Sequence, residues 1–157
     1  MNLVKLDITA LIPTRAGCAI FLSDGEKIIQ FYIENNIGQA INDHISGESY
    51  DRPVTYDMVT SLLSSLGAQM KSLIIADHQA EEGEDGVYFV NMVWEMENEV
   101  QGRKIVELDC RPSDAIALAV RQDVAIMIRS EVWGRLEDKS QLLHDLKSQM
   151  GDGTISP

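Results

Sequence analysis

Three strand-like segments followed by a short helix occur twice along the chain. The first segment, residues 3–12, alternates apolar and polar side chains, which is the period-two pattern of a strand with one buried face. This order restricts the chain to folds in which helices pack on groups of neighbouring strands. The predicted elements are strands at residues 3–12, 19–22 and 27–33, a helix at 38–45, strands at 73–76, 87–94 and 104–110, and a helix at 112–122.

This element order favours an α+β fold, a single compact domain around a mixed or antiparallel sheet. The two junctions from strand to helix can be overlaid so that Glu34 matches Asp109 and the pair Ala40-Ile41 matches Ala115-Ile116. The overlay leaves two alternatives open. Either the chain contains two intertwined βββα repeats, or the two helix starts match without any duplication.

Further helices are predicted between and after the two groups of three strands and a helix. The C-terminal helix is amphipathic, and a short strand at residues 125–128 precedes it. We therefore divide the chain into a folded domain of residues 1–134, a C-terminal amphipathic helix of residues 135–150 and a polar tail of residues 151–157. A helix over residues 55–70 has apolar side chains at i, i+4 spacing, which predicts a core-facing stripe of Met58, Val59, Leu62, Leu63, Leu66 and Met70.

The chain is strongly acidic, because 13 basic and 25 acidic residues give a net charge of −12. Proteins that bind long polyanions usually present a basic stripe that displaces counterions. Here Arg103-Lys104 is the only adjacent basic pair, so tight binding of long duplex nucleic acid is not expected. A small anion site remains open, since two arginines and a helix N-terminus suffice for one phosphate.

Several features bear on the compartment in which the protein works. Cys18 and Cys110 lie 92 positions apart without metal-ligand spacing, which suits a reducing cytoplasm. The longest apolar run, residues 115–120, is far too short to span a bilayer. Asp7 lies where a signal peptide would continue its apolar stretch. We expect a cytoplasmic protein that makes no membrane contact.

Two predicted helix starts concentrate the residues that can perform chemistry. The first is Arg52-Pro53-Val54-Thr55-Tyr56-Asp57, and the second is Asp109-Cys110-Arg111-Pro112-Ser113-Asp114. Each contains an Arg-Pro pair, a hydroxyl side chain and an aspartate. A purely structural interpretation is available, because Thr55 and Ser113 are ordinary N-cap residues and aspartates favour the positive end of a helix dipole.

A functional interpretation requires that both helix starts meet at one cleft, where they would combine phosphate binding with acid groups. Aspartates could hold Mg²⁺ or Mn²⁺, which prefer oxygen ligands, and the metal could activate a water molecule against a phosphodiester. No organic cofactor is implied. The phosphate-binding candidates are Arg52, Arg111, Thr55 and Ser113. The catalytic candidates are Asp57, Asp109 and Asp114, of which Asp109 and Asp114 are also the metal-ligand candidates.

The stretches RPVTYDMV (residues 52–59) and LDCRPSDAIALAVR (residues 108–121) resemble the bifunctional nuclease domain family, whose members are named for hydrolysing both DNA and RNA. The similarity runs from about Lys27 to Trp133. It implies a compact α+β domain that assembles into homo-oligomers, with the seven candidates above as its motif set. The family commonly has histidine where this chain has Tyr56, and a tyrosine with an ordinary pKa of about 10 cannot serve as a base near neutral pH.

These features lead to three hypotheses. The first is a cytoplasmic, homo-oligomeric, metal-assisted nuclease that acts on DNA, RNA or both, with single-stranded nucleic acid or a nucleotide as its partner. The second is a non-catalytic binding or regulatory module, which Tyr56 and the acidic composition favour. The third is a small-molecule phosphate binder, which is consistent with one compact anion site.

Overall fold

The strands and helices of this protein are described by a computed structural model that covers residues 2–84 and 86–151. Most of the predicted polar tail, residues 152–157, lies outside the described residues. The strands are β1 (Leu3–Thr14), β2 (Gly17–Ser23), β3 (Ile28–Ile33), β4 (Ala68–Gln79), β5 (Val87–Asn98), β6 (Gly102–Cys110) and β7 (Ile126–Arg129). The helices are α1 (Asn35–Ile45), α2 (Thr55–Ser65), α3 (Pro112–Arg121), α4 (Ser130–Arg135) and α5 (Ser140–Met150).

All of these strands join one mixed sheet in the order β3-β2-β1-β7-β4-β5-β6. Strands β1, β2 and β3 form an antiparallel meander followed by α1, and β4, β5 and β6 form a second one followed by α3. Strand β7 joins the two meanders, antiparallel to β1 and parallel to β4. The α+β prediction is therefore confirmed. The two βββα units lie side by side on either side of β7 and are not intertwined.

The main core lies between the sheet and helices α1 and α3, on what we call the inner face. Helix α3 is buried along Ala115, Ile116 and Ala117, and its small side chains allow it to lie close to the sheet and to α1. On the outer face, Leu143 of α5 packs in a second cluster with Phe21 and its neighbours on β1 and β2. No helix in the described part of the chain is long and apolar enough to cross a membrane.

The predicted long helix is shorter than expected, and its orientation differs from the prediction. It ends at Ser65, and Gly67 then turns the chain with a φ of +74° into β4, which contains Met70. The prediction that its apolar stripe faces the core holds for Val59 and Leu63, which pack against the core, and is wrong for the outer residues of the stripe. Met58, Leu62 and Leu66 are 60%, 58% and 51% exposed, because α2 lies outside α3 and buries only one narrow side.

The sheet curls until its two edge strands approach each other at one end. The rings of Phe31 on β3 and Tyr88 on β5 have centroids 4.9 Å apart, although four strands separate β3 from β5 in the sheet. Glu34 follows the edge strand β3, Arg111 follows the edge strand β6, and their side chains form an ion pair of 2.6 Å. This curvature creates the region in which the predicted site residues lie.

Candidate functional site

Helices α1, α2 and α3 begin close together at the end of the sheet where its edges approach. The residues that precede α1 and α3 are Glu34 and Arg111, which are ion-paired. The N-terminus of a helix carries unpaired backbone N–H groups and the positive end of the helix dipole. Pro112 at the first turn of α3 suits this position, because proline lacks the N–H that would be unpaired there. The convergence of the helix starts makes this end of the molecule suitable for anions.

A continuous hydrogen-bond network joins the two sequence motifs. The Tyr56 hydroxyl of α2 donates to Oδ1 of Asp114 at 2.6 Å. Nε of Arg111 donates to Oδ2 of the same carboxylate at 2.8 Å. Residues 58 positions apart therefore meet directly, so the convergence that the functional interpretation requires is present for Tyr56, Arg111 and Asp114.

Arg121 is the buried centre of this network. Its side chain is only 5% exposed, and its Nε donates to Oδ1 of Asp57 at 2.7 Å. Its remaining nitrogens donate to the backbone carbonyls of Ala117 and Ala40, so a single guanidinium links α1, α2 and α3. It also lies 5.3 Å from the ring centroid of Tyr56, in cation–π range. This contact orients the phenol that reaches Asp114.

The protonation states of the network follow from these contacts. Desolvation by burial and the hydrogen bond to Asp114 raise the pKa of Tyr56 well above its ordinary value, so the phenol stays protonated and acts as a donor. The hydrogen bond from Arg121 is the main cause that lowers the pKa of Asp57. Asp114, with Glu34, raises the pKa of Arg111. At neutral pH the network therefore contains a charged Asp57 carboxylate, a charged Arg111 guanidinium and a neutral Tyr56 phenol.

Two cavities of about 440 Å³ each flank the ion pair between Glu34 and Arg111, and these two residues line both of them. The α1–α2 pocket is lined by Asp43, Tyr50, Thr55 and Tyr56 among others. Its buried Asp43 accepts hydrogen bonds from Tyr50 and Gln39. The aromatic pocket, on the other side of the ion pair, is lined by Phe31, Tyr32, Tyr88 and Ser113 among others.

The structure brings some of the predicted site residues together and leaves others apart. Thr55 lines the α1–α2 pocket, Ser113 lines the aromatic pocket, and Asp57, Arg111 and Asp114 belong to the network. Arg52 is exposed in the loop before α2 and makes no hydrogen bond or ion pair with any described residue.

Asp109 alternates with Cys110 along β6, so its side chain points to the outer face, away from α2 and α3. It is exposed and does not join Asp114.

The sequence interpretation missed two members of the network. Glu34 was paired with Asp109 in the junction overlay, but α1 begins at Asn35 and α3 at Pro112, so Glu34 corresponds to Arg111 and the overlay is shifted by two positions. Arg121 ends the second motif, and its sequence signal is a charge that directly follows the apolar run of residues 115–120. Such a charge is buried only when it is paired.

The carboxylates of the network do not fit a divalent cation held by the protein. Both oxygens of Asp114 accept hydrogen bonds, from Tyr56 and Arg111, and Asp109 lies on the other face of the sheet. Among residues 2–84 and 86–151, no group of three or more His, Cys, Asp or Glu side chains is placed to hold a metal ion. The role of Asp109 and Asp114 as ligands of Mg²⁺ or Mn²⁺ stays a prediction from the sequence.

Comparison with known proteins identifies the family. The model of the bifunctional nuclease domain matches residues 20–140, more than three quarters of the chain. The chain belongs to this family. Both motifs, Glu34 and Arg121 lie inside the matched region.

Curated relatives are similar over the same part of the chain. Two uncharacterized proteins, from two strains of Mycobacterium tuberculosis, are each 24% identical over 110 residues, which is 70% of this chain and 59% of theirs. The chain thus spans about three fifths of the length of these relatives.

We predict that Arg121 is required for stability. Arg121→Met should lower the free energy of unfolding by about 2–3 kcal/mol, because it removes three hydrogen bonds of a buried charge that joins three helices. Arg103→Met is the matched control, since the exposed Arg103 of β6 pairs with Glu95 of β5 and its loss should cost less than about 1 kcal/mol. Urea unfolding followed by tryptophan fluorescence measures both. Equal losses of unfolding free energy in the two variants would show that Arg121 has no special role in stability.

We also predict a pH dependence from Tyr56. Its pKa is higher in the folded protein than in the unfolded chain, so the stability that its protonated form contributes is present below about pH 10 and is lost as the pH rises further. Tyr56→Phe should be about 1 kcal/mol less stable than the wild type near neutral pH, because it removes the hydrogen bond to Asp114. This difference should shrink in urea unfolding at about pH 11. A difference that stays constant would show that Tyr56 ionises normally.

Proposed function

We propose that the protein hydrolyses phosphodiester bonds of single-stranded DNA or RNA where α1, α2 and α3 begin. The observation that carries this proposal is the position of Arg111, which precedes α3, faces the start of α1 and borders both pockets. Its side chain is 61% exposed, so a phosphate in solution can reach it. Family membership supports a phosphodiester as the ligand.

In this proposal, a phosphate binds Arg111 by replacing Glu34 as the partner of the guanidinium. The ion pair with Glu34 is exposed on both sides, and such surface pairs contribute only about 0–1 kcal/mol. A phosphate can form two parallel hydrogen bonds with a guanidinium, and the adjacent helix N-termini favour its charge. The substrate can therefore displace Glu34, while the contact of Asp114 with Nε keeps the guanidinium in place.

Glu34 is our candidate for the general base. Tyr56 stays protonated, and both carboxylate oxygens of Asp57 and Asp114 already accept hydrogen bonds. Displacement from Arg111 would leave Glu34 as a free carboxylate beside the bound phosphate, where it can take a proton from the attacking water as the new P–O bond forms. The P–O bond to the leaving strand then breaks, its oxygen takes a proton from solvent water, and Glu34 returns its proton to solvent. In this proposal Asp114 positions Arg111, and Asp57 positions Arg121. The roles of Arg52 and Asp109 stay predictions.

The proposed substrate is a flexible strand. Each pocket beside Arg111 has a volume of about 440 Å³, which suits a nucleotide unit and not a duplex. The net charge of −12 opposes tight binding of a long polymer. A nucleotide or a short single strand presents few phosphates, so it meets less of this repulsion.

A non-catalytic binding module is the second candidate function. It is favoured by the hydrogen bonds that occupy the carboxylates of Asp57 and Asp114, since a network of this kind also serves to hold helix starts together. Under this alternative, ligands would still bind at Arg111, but Glu34 would not be needed for any reaction.

We predict that cleavage depends on Glu34 and Arg111. Glu34→Gln should lower the cleavage rate of a short fluorescent single strand by about 100-fold or more while retaining binding, because it removes the proposed base. Arg111→Ala should weaken binding and cleavage by about 10-fold or more, through the loss of a charge-assisted contact. Arg103→Ala is the matched control, because this arginine is similarly exposed and ion-paired.

The same assay is run with Mg²⁺, with Mn²⁺ and with a chelator, which tests the predicted metal requirement. Binding without cleavage under all of these conditions would overturn the nuclease in favour of the binding module. Equal activity of Arg111→Ala and Arg103→Ala would place the reaction elsewhere on the protein.

The exposed stripe of α2 supports the proposal that the protein is a homo-oligomer. Met58, Leu62 and Leu66 lie one turn apart on one side of the helix, and each is more than half exposed. A contiguous apolar surface of this kind is typical of an interface. We propose that a second copy covers it.

Leu62→Lys should therefore shift the protein to the monomer in sedimentation or light-scattering measurements, because a charge cannot be buried unpaired in an apolar interface. Ile105→Lys, on the exposed outer side of β6, is the control and should leave the assembly unchanged. A monomeric wild type would contradict the proposal.

A further inference from the structure

We propose that the aromatic pocket binds one unpaired nucleobase of the strand whose phosphate is held at Arg111. This inference rests on the proposed function and specifies which part of the substrate fills the second cavity. None of its aromatic side chains belongs to either sequence motif.

The pocket has a rigid aromatic wall and an accessible aromatic rim. Phe31 and Tyr88 are tilted by 39° with ring centroids 4.9 Å apart, and Tyr88 is 9% exposed, so packing holds both rings. Tyr32, the next residue of β3, is 46% exposed and borders the same cavity from the other side of the strand. Aromatic faces stack on any nucleobase with little regard to its identity. The aromatic wall of the pocket can therefore stack on any nucleobase.

Ser113 provides a polar group in the pocket. The residue is 7% exposed and lines the cavity, and its hydroxyl forms no hydrogen bond with any residue of the described chain. The hydroxyl is open to the solvent in the cavity, so a polar group of a ligand can take the place of water at this position. The edge of a nucleobase carries both donors and acceptors, and a hydroxyl can pair with either. An aliphatic ligand of the same size would leave the hydroxyl unpaired.

The pocket also has the right position relative to the proposed phosphate site. Arg111 lies at its border, and Pro112 and Ser113 continue from that border into its wall. A phosphate and the base beside it could thus occupy the arginine and the pocket together. A base paired in a duplex cannot enter, because its edge is engaged and its faces are stacked within the helix. The pocket would accordingly select unpaired strands.

The test compares two short oligonucleotides of equal length and charge, one of thymidylate and one with abasic sites in place of the bases. Fluorescence anisotropy measures their affinities, and a gel checks that the strands remain intact. The wild type should bind the thymidylate strand about 10-fold more tightly. Tyr32→Ala should remove most of this preference without changing the affinity for the abasic strand, and Tyr32→Phe should retain it.

Phe89→Ala is the matched control. Phe89 is 40% exposed and lies next to Tyr88 on β5, but it does not line the aromatic pocket, so its removal should change neither affinity. Equal wild-type affinities for the two strands would overturn the base pocket and leave the phosphate site at Arg111 standing. Failure to bind either strand would overturn the proposed function as well. The wild-type comparison requires no variant, so it holds even if Tyr32→Ala does not fold.

Discussion

The buried guanidinium of Arg121 is the interaction on which the site depends. A charge with 5% exposure is tolerated only when its donors are paired, and here the partners come from three different helices. Satisfying this one group therefore fixes α1, α2 and α3 relative to one another. It also holds Tyr56 against Asp114, and Asp114 in turn holds Arg111 at the surface. The exposed arginine is thus positioned through a chain of contacts that begins in the interior.

The curvature of the sheet supplies the second constraint. Strand β7 joins two antiparallel meanders, and the combined sheet curls until residues after its two edge strands touch. The ion pair between Glu34 and Arg111 is consequently a contact between the ends of both βββα units. A cavity opens on each side of it. This exposed ion pair, which joins the ends of the two sheet edges, is weak enough for a ligand to displace Glu34 from Arg111.

The sequence was informative where local chemistry determines the structure. It predicted the α+β class, the order of the strands and of every helix except α4, and the two helix starts that meet through Tyr56 and Asp114. For α2 it was right about Val59 and Leu63 but wrong about Met58, Leu62 and Leu66, because an i, i+4 pattern shows which side of a helix is apolar but not how much of that side meets the core.

Contacts between residues that lie far apart in the chain could not be predicted from the sequence. The curling that brings Phe31 to Tyr88 depends on the accumulated twist of the whole sheet, which no short segment specifies. Glu34 was missed for the same reason, since its partner lies 77 positions away and across the gap between two sheet edges. The separation of Asp109 from Asp114 follows from strand alternation at the last residues of β6, a detail that the exact end of a strand determines.

The acidic composition and the proposed phosphate site are compatible because they act over different distances. Helix N-termini and a single guanidinium attract an anion within a few ångströms, whereas the net charge of −12 acts over roughly a Debye length of about 10 Å. A strand that places one phosphate at Arg111 gains the local attraction, and every further phosphate near the surface adds repulsion. A nucleobase in the aromatic pocket would add affinity without adding charge. For an acidic protein, the proposed recognition through one phosphate and one base therefore limits charge repulsion, and it favours short contacts with flexible strands over long contacts with duplexes.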